Sequence, residues 1–297
     1  MSQAAARRAA LDAALAELFR QMRLSFLPPL TIYFAAGVSG LTSIVGAFFV
    51  KEQLELSAAF LAGLAFWAGL PWVLKMPLGH LVDVFWPRKG WFVVAGAALI
   101  SASLAIMLGL VTRPEAMAAI MPPGAWYVAA VILAPSGYVV QDVVADAMTV
   151  EAVPVRRPDG TAIPEDESKA LHTTMQTLGR FAILTGLLAV GAANLLIFRN
   201  SSEMPEAERL AAYATVYRLG FLIPLLSVSG VVLAEILRRR GGPGAYAPPP
   251  EPPAPDRRIL AGAFAFVVVS VGLGLSEAPW AADAVFVSAL GVVGFLM

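Results

Sequence analysis

The sequence predicts an all-α fold, a polytopic bundle of transmembrane helices, and three observations carry that reading. Of 297 residues, 58% are hydrophobic and 14% charged, where a soluble domain carries about 25% charged residues. The mean hydropathy is +0.73. The apolar residues fall into eight long runs, each near the ~20 residues that a helix needs to cross a ~30 Å hydrocarbon core.

The runs lie at 26–50, 57–78, 91–112, 125–150, 174–198, 213–237, 259–275 and 281–297. The fourth contains Asp142 and Asp146, and the last ends at Met297 with no polar tail. Residues 1–25 are expected to be a cytosolic segment. Within it, residues 4–23 pattern as an amphipathic helix at the membrane surface, with Leu11, Leu15, Leu18 and Met22 on its apolar side and Arg7, Arg8, Arg20 and Arg23 among the rest. The first apolar run is too long for the core of a secretory signal and lacks a small-residue cleavage site, so no cleaved leader is expected.

Lys and Arg in the loops set the orientation. With the N-terminus inside, the inner loops hold 14 basic residues and the outer loops 4. Lys75, Arg180 and Arg218 fall within the spans. The N-terminus is therefore expected in the cytosol. Residues 238–258 read RRRGGPGAYAPPPEPPAPDRR. Proline blocks a helix and the flanking arginines keep the stretch cytosolic, so it reads as an extended linker. The domain plan is a bundle of six helices over 26–237, the linker, and the start of a second bundle over 259–297. A second half of two helices implies a chain that continues past Met297, or a natural truncation, and continuation is the expectation.

Composition also excludes classes. Twenty-one basic and 21 acidic residues cancel, so no net field draws nucleic acid. There is no cysteine, hence no disulfide, thiolate metal site or Cys nucleophile. His80 and His172 stand far apart, and no metal or cofactor is expected. No phosphate loop of the form G-x-x-x-x-G-K-[ST] occurs, which argues against an ATP-driven pump carried on this chain. No paired-His motif or nucleophile signature accompanies the charged residues, so an enzyme is not expected.

The charges inside the spans are the candidates for function. One charge at mid-bilayer costs ~3 kcal/mol on insertion scales, so those retained usually face the protein interior. Asp142 and Asp146 are four apart on one helical face, and Tyr138 extends that stripe by a turn. Pro135, Ser136 and Gly137 should weaken or kink the same helix. At ~1.5 Å per residue, Lys75 and Asp142 both lie ~25–27 Å below the outer end of their helices, and Arg180 lies ~9 Å above the inner end of its own. A cluster of Lys75, Asp142, Asp146 and Arg180 near the inner side follows. Three roles stay open: a proton site at Asp142 or Asp146, an anion contact at Lys75 or Arg180, and a static salt bridge or inner gate. Phe66, Trp67 and Tyr138 stand where aromatic rings stack on a flat solute, or pack against neighbouring helices. Ser39, Thr42 and Ser43 either line a polar path or bond their own backbone. His80 and His172 read as solvated, and Glu151 as a partner of loop arginines.

Two resemblances follow from motifs. The segment between the second and third spans reads GHLVDVFWPRKG, residues 79–90. Its Gly79, Leu81, Asp83, Arg88 and Lys89 resemble the loop signature of the major facilitator superfamily, with Trp86-Pro87 where that signature has a glycine. The resemblance implies a conformational switch. Locally, Asp83 can accept hydrogen bonds from a helix N-terminus and pair with Arg88. The competing reading is a solvated loop that obeys the positive-inside rule. The layout of six helices, basic linker and further helices is similar to that superfamily too.

The second resemblance covers residues 32–152. It rests on Tyr33-Phe34 with Gly37, Val38, Gly40 and Leu41; on Val50-Lys51-Glu52; on Leu70-Pro71-Trp72-Val73-Leu74-Lys75-Met76-Pro77 with Gly79 and Asp83; and on Asp142-Val143-Val144-Ala145-Asp146-Ala147 with Glu151. Together these resemble the folate–biopterin transporter family, and the likeness fades after residue 155. It implies a secondary carrier working by alternating access in a bacterial inner membrane. It also implies proton-linked movement of a folate, a pterin or another small organic solute, with lipid, solute and protons as the partners. The alternative is a scaffold that keeps the facilitator fold without transport and serves membrane assembly, for example of pigment–protein complexes.

Overall fold

The computed structural model describes residues 12, 16, 18, 20–54, 56–157, 159–199, 204–241, 253–276 and 280–296. Eight helices organise them: α1 (Leu24–Phe49), α2 (Ala58–Val84), α3 (Gly90–Thr112), α4 (Pro123–Ala152), α5 (Glu165–Ile197), α6 (Glu206–Arg240), α7 (Arg257–Leu275) and α8 (Ala281–Leu296). Among the described residues, α1 to α7 are long and apolar enough to cross a membrane. The all-α bundle expected from hydropathy is what forms. The eighth helix is 16 residues long, shorter than a typical span. The amphipathic segment 4–23 falls mostly outside the described residues, as does the linker between 242 and 252.

Helix ends differ from the hydropathy runs in a consistent way. α5 begins at Glu165 and α6 at Glu206, well before their apolar stretches. Hydropathy reports what sits in lipid, whereas backbone hydrogen bonds continue into the polar flank. Acidic first turns help: Glu165, Asp166 and Glu167 open α5, where the helix dipole favours negative charge. For the same reason α2 runs on to Val84, so Gly79, Leu81 and Asp83 are helical rather than part of a loop. A turn at Leu74 interrupts α2, whose N–H bonds back to the Pro71 carbonyl at 3.1 Å.

The described chain divides into two compact units, Met1–Ile44 with Ala145–Ala212 and Leu219–Pro249, and Val45–Val144 with Tyr213–Arg218 and Pro250–Met297. In the first, α1 and α5 run parallel at backbone contact. A methyl group built on Gly37 would stand 2.2 Å from the Ile183 carbonyl oxygen, and one on Gly186 would stand 2.6 Å from that of Phe34. α6 reaches α1 the same way at Gly230, against Thr31 and the Pro28 carbonyl. Lipid gives helices no hydrophobic reason to associate, so close approach at small residues supplies the attraction. The end of α4 is fastened to the start of α1 by the buried Ser25 hydroxyl, which donates to the Ala152 carbonyl at 2.7 Å. That satisfies one of the carbonyls a helix end leaves open.

In the second unit, α3 and α4 run antiparallel and are tied at three levels. Ser103 donates to the Ala130 carbonyl at 2.7 Å, Gly96 and Gly137 face each other's backbone, and the buried Gln141 amide donates to the Val93 carbonyl at 3.2 Å. Pro135-Ser136-Gly137, where a weakened or kinked helix was expected, lies inside one continuous helix from Pro123 to Ala152. Ser136 donates to the Ile132 carbonyl at 2.8 Å, a local bond of the kind that lets membrane helices tolerate proline. Gly137 serves as a crossing point.

Candidate functional site

α4 carries Asp142 and Asp146 one turn apart, and each is engaged from another helix. In the second unit, the Lys75 ammonium reaches across from α2 and stands 2.5 Å from Asp142 Oδ2. Lys75 follows the Leu74 turn directly, so the break in α2 sits beside the residue that crosses to α4. One turn further along α2, Gly79 faces α4, where an added methyl would stand 4.0 Å from Val143. The Asp142 side chain is 19% exposed and that of Lys75 42%, so the pair is not sealed in a protein core.

In the first unit, Asp146 is engaged by a residue of α1. The Tyr33 hydroxyl donates to Asp146 Oδ1 at 2.6 Å. The Tyr33 ring reaches that position because α5 offers it a glycine: a methyl group on Gly179 would lie 2.9 Å from the ring. Arg180, the next residue, is exposed, and it forms no ion pair with Asp146 among the described residues. Of the four residues expected to cluster, the structure brings Lys75 to Asp142 and engages Asp146 through Tyr33, while Arg180 forms no ion pair among the described residues. Tyr33 was not singled out as a site residue, although it opens the stretch that carries the family resemblance. Two residues 113 apart on different helices show no spacing pattern that links them.

The aromatic candidates divide. Tyr138 is half-buried on α4, one turn before Asp142. Trp67 meets Phe66 edge-on, with centroids 5.6 Å apart, and its indole lies against Gly274 of α7, where an added methyl would stand 2.1 Å from the ring. In this structure Trp67 packs helix on helix. Ser39 and Ser43 donate to the Ala36 and Gly40 carbonyls, both at 2.6 Å, so they bond their own backbone.

The switch residues form a second constellation after Gly79. Asp83 ends α2 half-buried, and among the described residues it does not pair with Arg88, contrary to the sequence expectation. The turn Trp86–Arg88 is the reason. It folds the chain so that Lys89 turns back, its ammonium 4.3 Å over the Trp86 ring and 3.4 Å from the Trp86 carbonyl. Lys89 is buried and Arg88 is left exposed. Glu151, buried at 3% exposure, faces Arg238 at 3.8 Å. Arg238 also bonds Glu235 at 2.7 Å, and Glu235 bonds Arg239 at 2.7 Å. This charged chain joins the ends of α4 and α6.

Residues 36–165 match the BT1 family. The likeness to folate–biopterin transporters read from residues 32–152 is thereby borne out, and the matched stretch contains Lys75, Gly79, Asp83, Asp142 and Asp146. A curated relative, the "Folate-biopterin transporter" of Synechocystis sp., is 43% identical over 54 residues, which is 18% of this chain and 11% of the relative. The match thus spans about a tenth of that relative's length. No solved structure matches the chain. With seven helices of spanning length and this likeness, the chain is an integral membrane protein.

Proposed function

We propose that this protein is a secondary transporter of the major facilitator type, moving a folate-like, pterin-like or other small organic solute by alternating access and coupled to protons. Its N-terminus lies in the cytosol and its home is a bacterial inner membrane. It is a carrier and not an enzyme. The observation that carries the reading is the Lys75–Asp142 ion pair between two helices of spanning length. Charges are costly there, and a pair that is not sealed in the core is one that a proton and an anion can exchange with. A proton bound by Asp142 removes its charge and frees the Lys75 ammonium, which then meets a carboxylate of the solute. Release of both restores the pair. Asp146, held by Tyr33, is the second proton-binding carboxylate of the route. Gly79, Asp83, Arg88 and Lys89 form the hinge segment on the cytosolic side.

The test is uptake into proteoliposomes, screened across folates and pterins with and without an inward proton gradient. The wild-type protein accumulates a solute only with the gradient. Asp142→Asn, folded and correctly inserted, loses at least nine-tenths of that uptake, about 1.4 kcal/mol or more of coupling. Folded wild-type protein that moves none of these solutes would overturn the reading and favour the assembly scaffold.

A further inference from the structure

His80 belongs to the switch segment yet has no part in the proposed cycle. It is half-buried on α2, one residue after Gly79. Its Nε2 accepts the backbone N–H of Asp256 at 2.8 Å. Asp256 is the residue at which the chain leaving the 238–258 stretch turns into α7. Its backbone is extended, and its carboxylate accepts the Arg258 N–H at 2.7 Å, capping the helix. A ring nitrogen of α2 therefore fixes the point where the linker ends and the next helix begins.

A nitrogen that accepts an N–H carries no hydrogen of its own. A proton arriving from solvent bonds to that same lone pair, and two N–H groups then face each other where a hydrogen bond stood. Imidazole is the side chain whose ordinary titration falls between pH 5 and 8. The charged groups on the adjoining elements are Asp256, Arg257 and Arg258 of α7, Lys75 and Asp83 of α2, Arg88 and Lys89 of the turn after α2, and Asp142 of α4, which pairs with Lys75.

We infer that the neutral His80 ring moors the linker's entry into α7 to the end of α2, and that protonating the ring releases it. The consequence is regulatory. Acid on that face loosens the join between linker and α7 and frees the segment that holds the switch residues from its α7 anchor. The mooring does not depend on what the protein moves.

The chain has no cysteine, so Ala254→Cys places a single nitroxide label at an exposed site two residues before Asp256. Its spectrum is recorded on full-length protein in nanodiscs at about pH 8 and about pH 5, which bracket ordinary imidazole titration. In the His80 background the mobile component rises several-fold on acidification. His80→Gln keeps an acceptor oxygen that does not titrate, so its label stays immobile at both values. His80→Leu is mobile at both. Identical spectra at the two pH values in the His80 background, or an equal acid response in His80→Gln, overturns the proposal. Should His80→Leu fail to fold, the other two arms decide.

Discussion

Within the second unit, α4 meets α3 and α2 on different terms. Against α3 it presents Gly137 to Gly96 with no room for even a methyl group, and the buried polar groups Ser103 and Gln141 close onto backbone carbonyls. Against α2 it presents Asp142 to Lys75, with room for a methyl group between Gly79 and Val143 one turn on. The first seam depends on shape and tolerates no displacement. The second depends on a charge, and a proton can cancel it. The alternating carrier proposed above needs both kinds, one to keep helices together as a body and one to come apart.

The largest expected effect is on the first seam. Gly137→Leu forces the two backbones apart and costs about 3 kcal/mol, read as a clear drop in the thermal unfolding midpoint in detergent. An unchanged midpoint would mean that the α3–α4 contact is loose. Next comes the second seam, where the order of effects reverses. Lys75→Met costs about 2 kcal/mol of stability, because it removes one partner of an ion pair within spans where a charge is costly, while proton-driven uptake falls at least tenfold. The double variant Lys75→Met, Asp142→Asn removes both charges and regains most of the stability without the uptake. Regained uptake would show that the pair is only structural. Smaller again is Ser103→Ala, which loses one interhelical hydrogen bond worth about 0.6 kcal/mol and leaves uptake intact.

The smallest effect lies outside the membrane, in the loop between α4 and α5. The Thr161 hydroxyl donates to Asp159 Oδ1 at 2.6 Å and the Thr161 N–H donates to it at 2.9 Å. These bonds, the hydroxyl first, hold the Asp159 carboxyl below its ordinary value of 3.8. A lowered value in the fold means that the carboxylate supports the turn at any pH above 3.8, and that support is lost as the pH falls through the folded value. Hydrogen exchange at the Thr161 amide, corrected for its intrinsic rate, should stay constant from neutral pH down to the carboxylate range and quicken only below it. Quickening near pH 6 would contradict the geometry.

The helices were legible in the sequence, and so was the shared level of Lys75 and Asp142. Counting residues places Lys75 and Asp142 at one level because both helices run the same way and rise at a fixed step. What was not legible depends on how helices cross. Tyr33 meets Asp146 because Gly179 admits its ring, and Trp67 is seated on α7 because Gly274 has no side chain. Crossings are set by small residues whose partners lie on distant helices, and a glycine on its own does not announce its partner. The end of α2 was misplaced because His80 and Asp83 lower the hydropathy without ending the hydrogen-bonded helix. Arg88 was expected to meet Asp83, but the Trp86-Pro87 turn sends Lys89 back instead.

The pairing of α1 with α5 also has a consequence in time. Gln21, just ahead of α1, accepts the Thr174 hydroxyl of α5 at 2.6 Å across 153 residues of chain. At 5–20 residues per second, synthesis of that interval takes about 8–30 s. For that period α1 sits in the bilayer with its main neighbour not yet made. It can wait because residues 24–49 contain no charged side chain. The charges of the candidate site enter later, on α2 and α4, so α1, made before them, is a helix that lipid alone can hold.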